Sequence, residues 1–101
     1  MKRKPKQSAP PPAPMPTTVA EAVDYLLAQL DPQSRQNLRA MPRADLILLH
    51  RDYGMGVRNS LGLWGQSPIR HDPEVAGLFP DDISQHIIER MWEKLQSEAN
   101  G

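Results

Sequence analysis

The stretch from Arg43 to Gly65, RADLILLHRDYGMGVRNSLGLWG, constrains the fold more than any other part of the chain. Apolar side chains recur in it at Leu46, Leu49, Tyr53, Val57 and Leu61, steps of three or four that trace one stripe along a 3.6-residue helix. Such a stripe needs a partner surface. Set into the same segment are His50, Arg58 and Asn59, with Gly54 and Gly56, which cost a helix interior about 1 kcal/mol each. The stripe keeps its phase across the glycines, so the spacing predicts a continuous or kinked helix over 43–61. The alternative is a break near Tyr53 with a restart at Val57. Gly62 is placed to end the helix as a left-handed residue, with Leu61 or Leu63 making the apolar contact that accompanies such ends.

The flanking segments supply three partners. Thr18 with Glu21 three positions on is a capping box, and Val19, Ala22, Val23, Leu26, Leu27 and Leu30 follow at helical spacing, predicting a helix over 18–30. Asp31 and Pro32 then cap and open a shorter helix over 32–41, closed by Pro42, with Gln33, Arg35, Gln36 and Arg39 as its solvated face. Asp81 and Asp82 sit where a helix dipole favours acids, ahead of Ile83, Ile87, Ile88, Met91, Trp92 and Leu95, the cleanest amphipathic pattern present; this helix is expected over 81–97. Between them, 65–80 reads as an irregular loop punctuated by Pro68, Pro73, Gly77 and Pro80, with room for a short turn over 73–77. No strand pattern or internal repeat competes. The fold class expected is all-α: a small bundle of three to four helices spanning 17–97.

Residues 1–16 read as a proline-rich basic tail. Pro10, Pro11, Pro12 and Pro14 favour polyproline II, little in the segment can be buried, and disorder is the expectation. Lys2, Arg3, Lys4 and Lys6 make up four of the twelve basic residues, leaving eight against twelve acids and a net charge of −4 on the body. A body of that sign repels phosphate, which disfavours nucleic acid as a partner except through the tail. With no cysteine there is no disulfide or thiolate site. No apolar run approaches the roughly 18 residues that span a bilayer. Prolines and polar residues follow the basic start where a signal peptide needs an apolar stretch. A cytoplasmic protein without membrane span is the expectation.

Catalytic constellations are thin. No serine lies in a nucleophile elbow, and Gly54-Met55-Gly56 lacks the strand and third glycine of a phosphate-binding turn. His86 with Glu89, and His71 with Asp72, are the nearest approach to metal ligands and form no dense cluster. No cofactor, metal site or catalytic residue is assigned. On a continuous helix, His50, Gly54 and Arg58 share one ridge, and Gly54 leaves a groove where a backbone or small anion fits. The structural alternative pairs Arg58 with Asp45, Asp81 or Asp82 and makes His50 a packing residue. Trp64 and Trp92 each read as core residues with the indole N–H bonded to a carbonyl; Trp64, beside the loop, is the better partner anchor.

From about Thr17 to Leu95 the chain resembles an uncharacterised family of small bacterial domains of unknown function. The likeness lies in TTVAEAVDYLLAQL, MPRADLILLH, GMGVRNSLGLWG and PDDISQHIIERMWEKL. It points to His50, Gly54, Arg58, Asn59, Gly62, Leu63, Trp64, Pro80, Asp81, Asp82 and Trp92, and implies that the Arg-Asn and Asp-Asp segments belong to one site. No activity comes with the resemblance. The binding residues expected are His50, Gly54, Arg58, Asn59, Trp64, Asp81 and Asp82. The function expected is a non-enzymatic protein-binding or regulatory module that uses the loop 65–80 and the groove beside Gly54 and takes another protein, or a second copy as a homodimer. Nucleic-acid association through the tail and Arg35, Arg39, Arg43, Arg51 and Arg58 is the alternative, and a small-ligand or hydrolytic site around His50, Arg58 and Asp82 is the second.

Overall fold

A computed structural model describes residues 15–100. The expected disorder of residues 1–14 lies outside them. Met15 and Pro16, the last two residues assigned to the tail, join the body: Pro16 is buried and the Met15 sulfur accepts from the Tyr25 hydroxyl at 3.9 Å.

The elements in order are α1 (Val19–Gln29), α2 (Pro32–Ala40), a 3-10 helix (Arg43–Leu49), α3 (Tyr53–Ser60), a 3-10 turn (Pro68–His71) and α4 (Pro80–Asn100), with no strand among the described residues. Helix α1 starts where Thr18 takes the Glu21 amide on its hydroxyl, while the Glu21 carboxylate accepts from the Thr17 amide and hydroxyl. Asp31 caps α2 by accepting from the Ser34 amide at 2.8 Å, with Pro32 in the first turn where its missing N–H costs nothing.

The organising element is α4. Its Ile83, Ile87, Ile88, Met91 and Leu95 are fully buried, and α1, α2, α3 and the first 3-10 helix all pack against it. The segment 43–61, expected as one central helix, is two shorter pieces joined by a turn at His50–Asp52. Two glycines within four residues of Tyr53 weaken helix propagation there, and the turn brings the Leu49 carbonyl to 3.5 Å from the point a Gly54 Cβ would occupy. The apolar stripe survives the break, because Leu46, Val57 and Leu61 are buried and Leu49 and Tyr53 half-buried. Tightening to 3-10 geometry leaves Ile47 and Leu48 facing outward.

Helix α2 is less solvated than its composition implies. Arg35 reaches back to the C-terminal end of α1, where its Nη1 donates to the Leu27 carbonyl at 2.7 Å, a cation at the negative pole of a helix dipole. At the far end, Gln96 of α4 donates to the Arg39 carbonyl at 2.7 Å and Trp92 donates its indole N–H to the Met41 carbonyl at 2.8 Å. Arg43 then lies 5.7 Å above the Trp92 ring, a cation–π contact that ties the 3-10 helix to α4.

Candidate functional site

Gly54 and Arg58 stand one turn apart on α3, so the Arg58 side chain folds back over the glycine. A Cβ at Gly54 would lie 3.2 Å from Arg58 Nη1 and 3.6 Å from Ser84 Oγ; glycine is therefore what admits the guanidinium. Arg58 Nη1 donates to Ser84 Oγ at 2.9 Å, and Ser84 Oγ donates in turn to the Asp81 carbonyl at 2.9 Å. Both Arg58 and Ser84 are buried. Arg58 Nε lies 3.6 Å from Asp81 Oδ1, close enough for charge attraction but too long for a hydrogen bond, and this buried N–H has no acceptor. The Asp81 side chain is 52 % exposed, so the pair joins a dry cation to a wet carboxylate. Chemically this is a clamp between α3 and the first turn of α4, and the space beside Gly54, expected as an open groove, is filled by the protein's own arginine.

The other nominated residues fall outside the clamp. Asn59 and Asp82 are exposed, without a side-chain hydrogen bond among the described residues. His50 ends the first 3-10 helix; its amide donates to the Ile47 carbonyl at 3.0 Å and its buried Nδ1 has no partner. Of the Arg-Asn and Asp-Asp segments, then, Arg58 and Asp81 meet, and Asn59 and Asp82 do not. Sequence reading missed Ser84, although a serine between Ile83 and Ile87 on an apolar face is itself a signal that something buried needs an acceptor.

Trp64 belongs to a different surface. After α3, the Leu63 amide donates to the Arg58 carbonyl and the Gly62 amide to the Asn59 carbonyl, with Gly62 at φ +66°: a Schellman turn that buries Leu63 and throws Trp64 outward. Trp64 is 62 % exposed and so is not a core residue. The loop beyond it is pinned. Ser67 caps the turn Pro68–His71, Ile69 and Val75 are buried, and Asp72 accepts from the Glu74 amide and, across the fold, from the Val19 amide, both at 2.8 Å. These two amide donations hold the Asp72 carboxyl below its ordinary range, the Val19 one foremost. Glu74 Oε2 takes His86 Nε2 at 2.5 Å and Arg90 Nε at 2.7 Å, anchoring the loop to α4 and raising the Arg90 pKa.

On this loop Leu78 and Phe79 are turned to solvent, Phe79 at 75 % exposure. Together with Gly65, Gln66, Ser67, Arg70, His71 and Gly77, the last at φ +88°, they wall a groove of about 360 Å³. Arg70 Nη1 donates to the Gly65 carbonyl at 2.9 Å, which holds the guanidinium across the groove. Phe79 was not among the residues nominated from sequence. A wider cleft of about 400 Å³ between α1 and α4 is bridged by Lys94 and Asp24 at 2.5 Å and takes in none of the nominated residues.

Among the described residues no group of three or more His, Asp or Glu side chains is placed to hold a metal ion, and no helix is long and apolar enough to cross a membrane. His86 is engaged with Glu74, and Asp72 with backbone amides. The arginines offered to nucleic acid are mostly committed: Arg35 to Glu98, Arg43 to Glu93 and Arg58 to Asp81.

Fold and site together define a small helical domain locked by an internal Arg–Ser–Asp clamp and presenting an aromatic loop face. The family described as Domain of unknown function (DUF6794) matches residues 15–95, and the chain belongs to that family. Comparison with curated proteins finds no match, and neither does comparison with solved structures.

Proposed function

We propose that this domain is a non-enzymatic protein-binding module whose contact surface is the face formed by Trp64 and the loop 65–79. The observation that carries the reading is the exposure of Leu78 and Phe79, which line the Arg70 groove, and of Trp64, next to Gly65 in sequence, on a segment held by buried Ile69 and Val75 and by Asp72. Aromatic and arginine side chains contribute most to interface energies, and a loop already ordered loses little entropy on binding. What supports a binding role over catalysis at Arg58 and Asp81 is that both are used in packing α3 on α4. Nucleic-acid association has the tail cluster Lys2 to Lys6 in its favour and a body of net charge −4 against it.

The test is affinity capture from a lysate of the source cell with the wild type and with Trp64→Ala and Phe79→Ala, both surface changes that leave the core intact. Loss of the captured proteins in these variants, with retention in Asn59→Ala, is the expected result. Identical capture by all four proteins would remove the surface assigned here.

A further inference from the structure

The loop face carries a projection and a recess side by side. Phe79 is turned to solvent and is itself, with Leu78, one wall of a recess of about 360 Å³ whose other walls include Gly65, Arg70 and His71. Cavities of about 150 Å³ admit benzene, so the recess has room for a phenyl ring. The charges are placed in the same way. Arg70, on the recess, is bonded to no carboxylate among the described residues; within them its side chain donates to the Gly65 carbonyl. Asp82, three residues beyond Phe79, is exposed on the first turn of α4 and is bonded to no cation among the described residues. In a body of net charge −4, Arg70 by the recess and Asp82 near Phe79, neither in an ion pair among the described residues, are complementary to each other.

A surface with its knob and its hole on the same patch satisfies itself under a two-fold axis, because each contact is made twice and the assembly closes at two copies. We infer that the 64–79 face binds a second copy of the chain as an isologous homodimer, Phe79 of each protomer entering the partner's recess and Asp82 facing the partner's Arg70. This rests on reading that face as a binding surface and names what binds there. Trp64, exposed and next to Gly65 in sequence, adds apolar area to an interface that needs about 800 Å² from each partner.

Sedimentation of the full chain over a concentration series measures the dimer constant. Phe79→Glu is expected to weaken it by at least about a hundredfold, since the ring is removed from both halves of the interface. Arg70→Glu should weaken it about tenfold through two lost ion pairs, and Arg70→Glu with Asp82→Arg should recover most of that loss. Circular dichroism melting of each variant separates a folding defect from an interface defect. A chain that stays monomeric up to about 1 mM overturns the inference, as does a dimer indifferent to Phe79→Glu or not rescued by the charge exchange. Failure here and failure of the binding-module reading are distinguishable. A monomer whose lysate capture still depends on Phe79 keeps the surface and loses the self-association; a Phe79-dependent dimer whose capture ignores Phe79 keeps the self-association and removes the capture of other proteins from this face.

Discussion

Asp72 Oδ2 accepts the amide of Val19 at 2.8 Å, a bond that spans 53 residues of sequence and closes the N-terminal end of α1 with a side chain from the loop before α4. Thr18 satisfies the Glu21 amide of the same helix locally, so the first turn has one cap from its own segment and one from far along the chain. Replacing Asp72 by alanine leaves both the Val19 and the Glu74 amides without their acceptor. A loss of about 1–2 kcal/mol is expected, read as a lower urea midpoint at unchanged slope. Asp72→Asn keeps an acceptor oxygen and should lose less.

The same bond sets a pH dependence. The Asp72 carboxyl is held down by the amides of Val19 and Glu74, that of Glu21 by the amide and hydroxyl of Thr17, and that of Asp31 by the hydroxyl and amide of Ser34. In each case the folded value lies below the ordinary one, 3.8 for aspartate and 4.5 for glutamate. The unfolded chain therefore binds protons first as pH falls. The stabilisation is complete above the ordinary values and is lost progressively below them, as pH drops toward the folded values. Melting temperature should be flat from pH 7 down to about 5 and then decline, and the decline should be shallower in Asp72→Asn.

How far these features can be seen in advance depends on whether the cause is local. The cap and stripe of α1 and the stripe of α4 are carried by neighbours in sequence, from Thr18 with Glu21 to Ile83 through Leu95, and both were legible. The break at His50–Asp52 was not, since steps of three and four in Leu46, Leu49, Tyr53 and Val57 fit one α-helix as well as a 3-10 helix followed by an α-helix. Packing on α4 decided between them. Arg58 and Asp81 could be paired on charge alone, but Ser84 between them, and Asp72 reaching Val19, depend on tertiary approach that no spacing encodes. The exposure of Trp64 follows from the Gly62 turn, a local signal, yet its consequence for the next side chain but one needs the backbone path.

Trp92 offers a separable check on how α2 and the first 3-10 helix are held. Its indole N–H donates to the Met41 carbonyl at 2.8 Å, and Arg43 covers its ring while reaching Glu93 at 3.1 Å. Trp92→Phe keeps much of the apolar area but deletes the donor, and about 1–2 kcal/mol of stability should go with it. Arg43→Ala, at a mostly exposed site, should cost under about 1 kcal/mol. Thermal melts of the two variants decide whether the carbonyl bond outweighs the ring contact.

The two glycines of α3 should respond in opposite ways to the same substitution. At Gly56 a Cβ meets nothing within 4 Å, so Gly56→Ala gains helix propensity and reduces unfolded-state freedom, for about 0.5–1 kcal/mol of added stability. At Gly54 the same gain is opposed, because the new methyl sits 3.2 Å from an Arg58 Nη1 that its bond to Ser84 prevents from moving freely. Net destabilisation of about 1 kcal/mol or more is expected there, through strain and a weakened Arg58–Ser84 bond. Arg58→Ala alone should cost about 2 kcal/mol, less than a fully buried ion pair would, because Asp81 remains in water. In that background the obstacle at 3.2 Å is gone and the remaining neighbours stand at 3.5 Å or beyond, so Gly54→Ala should turn neutral or stabilising. The coupling energy from this double-mutant cycle, measured by urea unfolding, should exceed about 1 kcal/mol, whereas the Gly56 and Arg58 substitutions should add. If Gly54→Ala carried the same cost with and without Arg58, the glycine would be serving the Leu49 carbonyl at the turn, and the clamp would not be the reason for it.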